Sequence, residues 1–113
     1  MKLGRFSVSL SVADLQRSMA FYKMLGFEQV FGEPKDNWVI LQNGEAKIGL
    51  FHGMFEGNLL TFNPQDARVI QDAIRKAGFG ASIEKEAEPG EGQAHLMLKD
   101  PDGNRILIDQ HVE

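Results

Sequence analysis

Apolar and polar residues alternate near the start of the chain: Phe6, Val8, Leu10 and Val12 interleave with Ser7, Ser9 and Ser11. That period of two predicts a strand with one face on a core. The pattern changes after Asp14. Leu15, Met19, Tyr22 and Leu25 recur at steps of four and three, tracing one apolar face of a helix. Asp14 is placed to accept the free amides of its first turn, and Gly26 to end it. Short apolar runs follow at 28–31, 38–41 and 47–52, the last two joined by Asn43-Gly44, a hairpin signal. The first half therefore reads βαβββ.

The second half repeats the plan. Asp14, Gly26 and Phe27 reappear 52 residues on as Asp66, Gly78 and Phe79, and the same offset carries Leu10 to Phe62 and Tyr22 to Ile74. Internal repetition of this kind sets the architecture before any single element does. Strands are predicted at 59–63, 81–85, 95–99 and 105–111, with a helix near 66–77 presenting Val69, Ile70, Ala73, Ile74 and Ala77. Pro64 suits a helix start, where its missing amide costs nothing. The stretch 86–93, rich in Glu, Gly and Pro, reads as a loop.

The predicted fold class is α+β, with one domain over residues 1–113 built from two βαβββ modules at about 4–53 and 57–112. Together they would form a mixed curved sheet around a concave cleft, helices on the outer face. A chain of 113 residues suits one domain. It can bury about two thirds of its unfolded surface without staples. There is no cysteine, which excludes disulfides and thiolate metal sites and suits a reducing, cytoplasmic setting.

Charge and hydropathy narrow the partners. The net charge of −4 offers no basic footprint for nucleic acid, and no apolar run approaches the length of a membrane span. Lys2 and Arg5 precede an apolar stretch broken by Ser7 and Ser9, so no signal peptide is expected.

Period two also sorts the strand faces. Phe6, Val8, Leu10, Ile48, Leu50, Leu60, Phe62, Ile106 and Ile108 should meet the helices. The opposite faces carry Ser7, Ser9, Ser11, Gly49, Phe51, Leu59, Thr61, Asn63, Leu107, Asp109 and His111. Polar groups set among apolar ones in a concavity suit a small ligand, while a hydrated face or a homodimer contact gives the same alternation.

The stretches 9–27 (SLSVADLQRSMAFYKMLGF) and 100–108 (DPDGNRILI), within the paired βαβββ plan, resemble the vicinal oxygen chelate superfamily. That superfamily includes glyoxalase I, extradiol dioxygenases, fosfomycin-modifying enzymes and bleomycin-resistance proteins. The resemblance implies a divalent metal held by four His or Glu side chains, two from each unit, in the first and last strands. Those positions fall here on Ser7, Gly49, Leu59 and Leu107. None supplies the imidazole or carboxylate that such an ion needs. Their sequence neighbours Ile48, Leu50, Ile106 and Ile108 do not either.

Other candidates are sparse. Asp109 and His111, two apart on a strand, could form a carboxylate-oriented imidazole for base work, or a surface hydrogen bond. A replacement metal site from His52, Glu56, Asp109 and His111 shows no recognised spacing. His95 begins a strand, where a satisfied structural role fits. Trp38 could wall a pocket or pack in a core, its strand parity being ambiguous. Met54 and Phe55 could form a lid or a dimer contact.

The leading expectation is a glyoxalase- or bleomycin-resistance-like protein that binds a small molecule in a metal-free concave pocket. The lining residues would be Ser7, Ser9, Phe51, Leu59, Thr61, Leu107, Asp109 and His111, with no cofactor and no catalytic residue assigned. One alternative is a glyoxalase- or dioxygenase-like enzyme with an unorthodox metal site. Another is a homodimeric structural protein whose cleft is filled by side chains. A homodimer is expected from the resemblance and from the open sheet edges.

Overall fold

The computed structural model describes residues 1–110, so His111 lies outside the described residues. Its elements run β1 (Arg5–Ser11), α1 (Leu15–Met24), β2 (Glu28–Glu33), β3 (Trp38–Asn43), β4 (Ala46–Phe51), β5 (Leu59–Asn63), α2 (Ala67–Lys76), β6 (Ile83–Lys85), β7 (Ala94–Lys99) and β8 (Arg105–Gln110). Two short 3-10 turns, Pro34–Asp36 and Gly80–Ser82, precede β3 and β6 and were not foreseen from the sequence. The chain divides into two compact units: residues 7–58, and residues 1–6 with those from Leu59 onward.

In the N-terminal unit the strands lie in the order β2-β3-β4-β1. β1 runs parallel to β4 through Val8↔Ile48 and Leu10↔Leu50, and β2, β3 and β4 form antiparallel hairpins. Asp14 caps α1, its carboxylate accepting the Arg17 amide at 3.1 Å. Gly26 leaves the helix at φ +101°, a conformation that glycine adopts without a Cβ penalty. The turn between β3 and β4 falls on Gly44 and Glu45. Asn43 uses its side-chain amide to close the helix, donating to the Leu25 carbonyl at 3.2 Å. Leu15 and Met19 bury against Val39, Leu41 and Leu50, with Leu10, Val12, Tyr22, Phe27 and Ile48 packed around them.

In the C-terminal unit the order is β5-β8-β7-β6, with β5 parallel to β8 and the remaining pairs antiparallel. Asp66 caps α2 more fully than its counterpart caps α1, accepting from both Arg68 N–H and Val69 N–H. Ala67, Ile70 and Ile74 bury against Ala87, Ala94, Leu96 and Ile108.

Four expectations need correction. The α2 helix begins at Ala67, which leaves Pro64 outside it. Val69 and Ala77 are exposed rather than on the covered face. Gln71 is buried in their place because its Oε1 accepts the Ala87 amide at 2.6 Å. Leu25, at the C-cap of α1, is exposed as well.

The fourth correction concerns the strands. Phe6 and Leu60, expected beneath a helix, are 49% and 38% exposed. The helices explain this, since α1 covers β4 and α2 covers β7 and β8, and each is only ten residues long.

Candidate functional site

The sheet faces turned away from the helices carry the candidate chemistry. In the N-terminal unit, cross-strand pairing aligns Ser9, Gly49, Ile40 and Phe31 in one row and Ser11, Phe51 and Trp38 in the next. This row resolves the parity of Trp38: its ring stacks on Phe51, centroids 6.0 Å apart and planes within 6°. Phe55 closes the group, its ring 5.3 Å from Phe51 and its carbonyl accepting from Ser11 Oγ at 2.9 Å.

Phe51 also does something that its strand position does not announce. Its ring folds back over Gly49, so that a Cβ at residue 49 would sit 2.5 Å from Phe51 Cε2 and 3.1 Å from Ile40 Cδ1. The space that a side chain would use is occupied by an aromatic ring.

The C-terminal unit aligns Thr61 with Leu107 and Met97, and Asp109 with His95. Asn63 donates its side-chain amide to the Asp109 carbonyl at 2.9 Å. Beside this row Glu88 grips His95 twice: one carboxylate oxygen lies 3.0 Å from the ring Nδ1, and the other accepts the His95 backbone N–H at 2.9 Å. The Lys85 ammonium stands 3.4 Å from that second oxygen. The His95 amide, above all, holds the Glu88 carboxyl down to about 2, with its own backbone amide and Lys85 acting in the same direction.

Each unit has buried residues on its helix-free face. Ser7 and Ser9 are 6% and 3% exposed, and Leu59 and Thr61 are 2% and 6% exposed. Phe51, Leu107 and Asp109 are half-buried, and Trp38 and His95 with them. Trp38 became assignable only once the register was known. The Glu88–His95 pair joins a loop to a strand, a contact that no spacing rule detects.

Elsewhere the chemistry is structural. His52 donates Nδ1–H to the Val12 carbonyl at 3.0 Å, which fastens the segment after β4. Asp100 in the DPDG turn accepts from the Asn104 side chain and from the Asp102 and Asn104 amides, and these bonds, the Asn104 side chain first, lower its carboxyl. Among the described residues no three His, Asp or Glu side chains come together as a metal site. An open groove of about 390 Å³ lies on α1, lined by Ala13, Asp14, Arg17, Ser18, Phe21 and Tyr22. Asp14 is already engaged there as the helix cap.

Two βαβββ units, each with a mixed four-stranded sheet and one helix, define the class: an α+β protein of the paired-module type. The chain belongs to the Glyoxalase/Bleomycin resistance protein/Dioxygenase superfamily, whose family model matches residues 3–108. Solved structures agree on the fold. A member of the same superfamily from Vibrio splendidus 12B01 is 21% identical, with a TM-score of 0.75 over 94% of this chain and 97% of that one. A Legionella pneumophila protein described as an NAD-dependent benzaldehyde dehydrogenase is 19% identical, with a TM-score of 0.73 over 95% and 99%. Methylmalonyl-CoA epimerase from Mycobacterium tuberculosis is 16% identical, with a TM-score of 0.69 over 100% and 93%. No curated protein sequence matches the chain.

The family resemblance implies a divalent metal, and the residues do not fit one. A hydroxyl at Ser7, a bare backbone at Gly49 and hydrocarbons at Leu59 and Leu107 lack the charge and lone pairs that hold such an ion. At residue 49 the Phe51 ring takes the room that a ligand side chain would need.

Proposed function

We propose that the protein binds a small, largely apolar molecule on the helix-free faces of its sheets, without a metal ion. The observation that carries this reading is the Phe51 ring lying over Gly49 and stacked on Trp38. An aromatic wall there meets a ligand by dispersion and ring stacking, where a metal centre would have met it by coordination. In the N-terminal unit buried Ser7 and Ser9 accompany half-buried Phe51, and in the C-terminal unit buried Leu59 and Thr61 accompany half-buried Leu107 and Asp109, whose side chains leave surface for contact. His111, assigned to the same set from sequence, lies outside the described residues.

Trp38 is the only tryptophan and reports on this wall directly. Native mass spectrometry of the protein drawn from cell extract is expected to show a retained small molecule. Its removal should shift Trp38 emission, and Phe51→Ala should lose it. A protein that retains nothing, and whose Trp38 emission is unmoved by bleomycin and by a panel of planar aromatic compounds, would contradict the proposal.

A second reading has one observation in its favour. Ser7 and Ser9 in one unit, and Leu59 and Thr61 in the other, are only 2–6% exposed on strand faces that no helix covers, so protein already covers part of each of those faces. A homodimeric interaction protein with a filled face would look similar. Exposed Phe21, Met24 and Leu25 around the end of α1, with Val30 and Phe31 on β2, support self-association. Analytical ultracentrifugation of the full chain should then show a dimer, and Phe21→Glu with Phe31→Glu a monomer. A monomeric wild type would contradict that contact. The net charge of −4 speaks against nucleic acid as a partner, and among the described residues no helix is long and apolar enough to cross a membrane.

A further inference from the structure

We infer that Glu88 and His95 form a proton-accepting pair on the helix-free face of the C-terminal unit, suited to a small uncharged molecule with an acidic O–H group, such as a phenol. His95 sits at the start of β7, opposite Asp109 on β8. Its neighbours Ala94 and Leu96 are buried on the helix side, so the imidazole belongs to the same face as Leu107 and Asp109. The carboxylate accepts from Nδ1 at 3.0 Å, which assigns the ring proton to Nδ1 and puts the lone pair on Nε2. Glu88 is the positioning residue: it binds the backbone N–H of His95 as well as the ring, so strand and imidazole are fixed together.

The charges around the ring select the ligand. Glu88 from the loop and Asp109 from β8 are anionic, and Lys85 from β6 is the cation at Glu88. A carboxylate ligand would meet the Glu88 charge at the ring, whereas a neutral hydroxyl would not. Such a hydroxyl donates to Nε2. If transfer completes, the O–H bond breaks, its proton moves to Nε2, the electron pair stays on oxygen, and Glu88 stabilises the imidazolium.

This deepens the small-molecule reading and rests on it for the ligand, while the state of the pair can be read without one. Long-range 15N–1H NMR of the full chain, at a pH where His95 is neutral, is expected to show the proton on Nδ1. Glu88→Ala should abolish that preference, and Glu88→Gln, which keeps an acceptor oxygen, should retain it. Adding phenol, which stays uncharged at that pH, should shift the His95 Nε2 resonance and leave that of His52 in place, and benzoate should shift neither. A wild-type ring carrying its proton on Nε2 would overturn the pair. So would phenol leaving the His95 Nε2 resonance unmoved. Loss of the Trp38 response with the Nδ1 proton intact would instead count against the aromatic wall.

Discussion

At Gly49 an added methyl would collide with the Phe51 ring at 2.5 Å, so the ring must swing off Trp38 to admit it. Overpacking of this kind costs about 1–3 kcal/mol. Gly49→Ala should therefore lower Tm, and in a Phe51→Leu background the same change should cost much less, because contacting residues do not act additively. Equal losses in both backgrounds would show that the ring does not fill that space. Gln71 makes a second residue-scale case. Replacing it with Ala leaves the Ala87 amide without its acceptor in the core, a loss of about 1–3 kcal/mol by urea melt.

Glu88 adds a pH signature at the same scale. Its carboxyl falls from 4.5 to about 2 on folding. The folded value is depressed, so its contribution is complete above 4.5 and is lost as pH falls toward 2. Following the His95 amide by NMR through that window should reveal a titration in the wild type that Glu88→Gln lacks. Little of this was legible beforehand. Ser7, Gly49, Leu59 and Leu107 could be placed by repeat and resemblance, but the fold-back of Phe51, the Gln71 contact and the Glu88–His95 pair depend on rotamers and loop paths that leave no spacing in the sequence.

Among the elements, the two helices differ in how firmly they begin. Asp66 accepts two amides and Asp14 one. Loss of an N-cap costs about 0.5–2 kcal/mol, so Asp66→Ala should destabilise more than Asp14→Ala in paired thermal melts. The caps, the glycine stops and the order of elements were readable because each depends on local chemistry repeated in both halves. Burial was read less well. Val69, Ala77 and Leu25 are apolar at the right period yet exposed on or at the ends of their helices, and Phe6 and Leu60 are exposed because helices of ten residues cover only some of the strands. Period shows which residues share a face, not how far a neighbouring element reaches across it.

For the whole molecule, the repeat was the strongest signal: two copies of a βαβββ plan 52 residues apart are enough to point to the fold, and the family match over residues 3–108 agrees. Function does not follow from the fold alone, because the positions that implied a metal hold Ser7, Gly49, Leu59 and Leu107. The proposed binding role would then depend on Phe51 and Trp38 foremost. An ion bound only by the folded state would raise its stability in proportion to occupancy. The direct measurement is elemental analysis of the purified protein, dialysed against zinc, nickel, manganese and iron(II) in turn, with Tm recorded in each. The expected result is no stoichiometric ion and an unchanged Tm, whereas one ion per chain with a raised Tm would contradict a metal-free site.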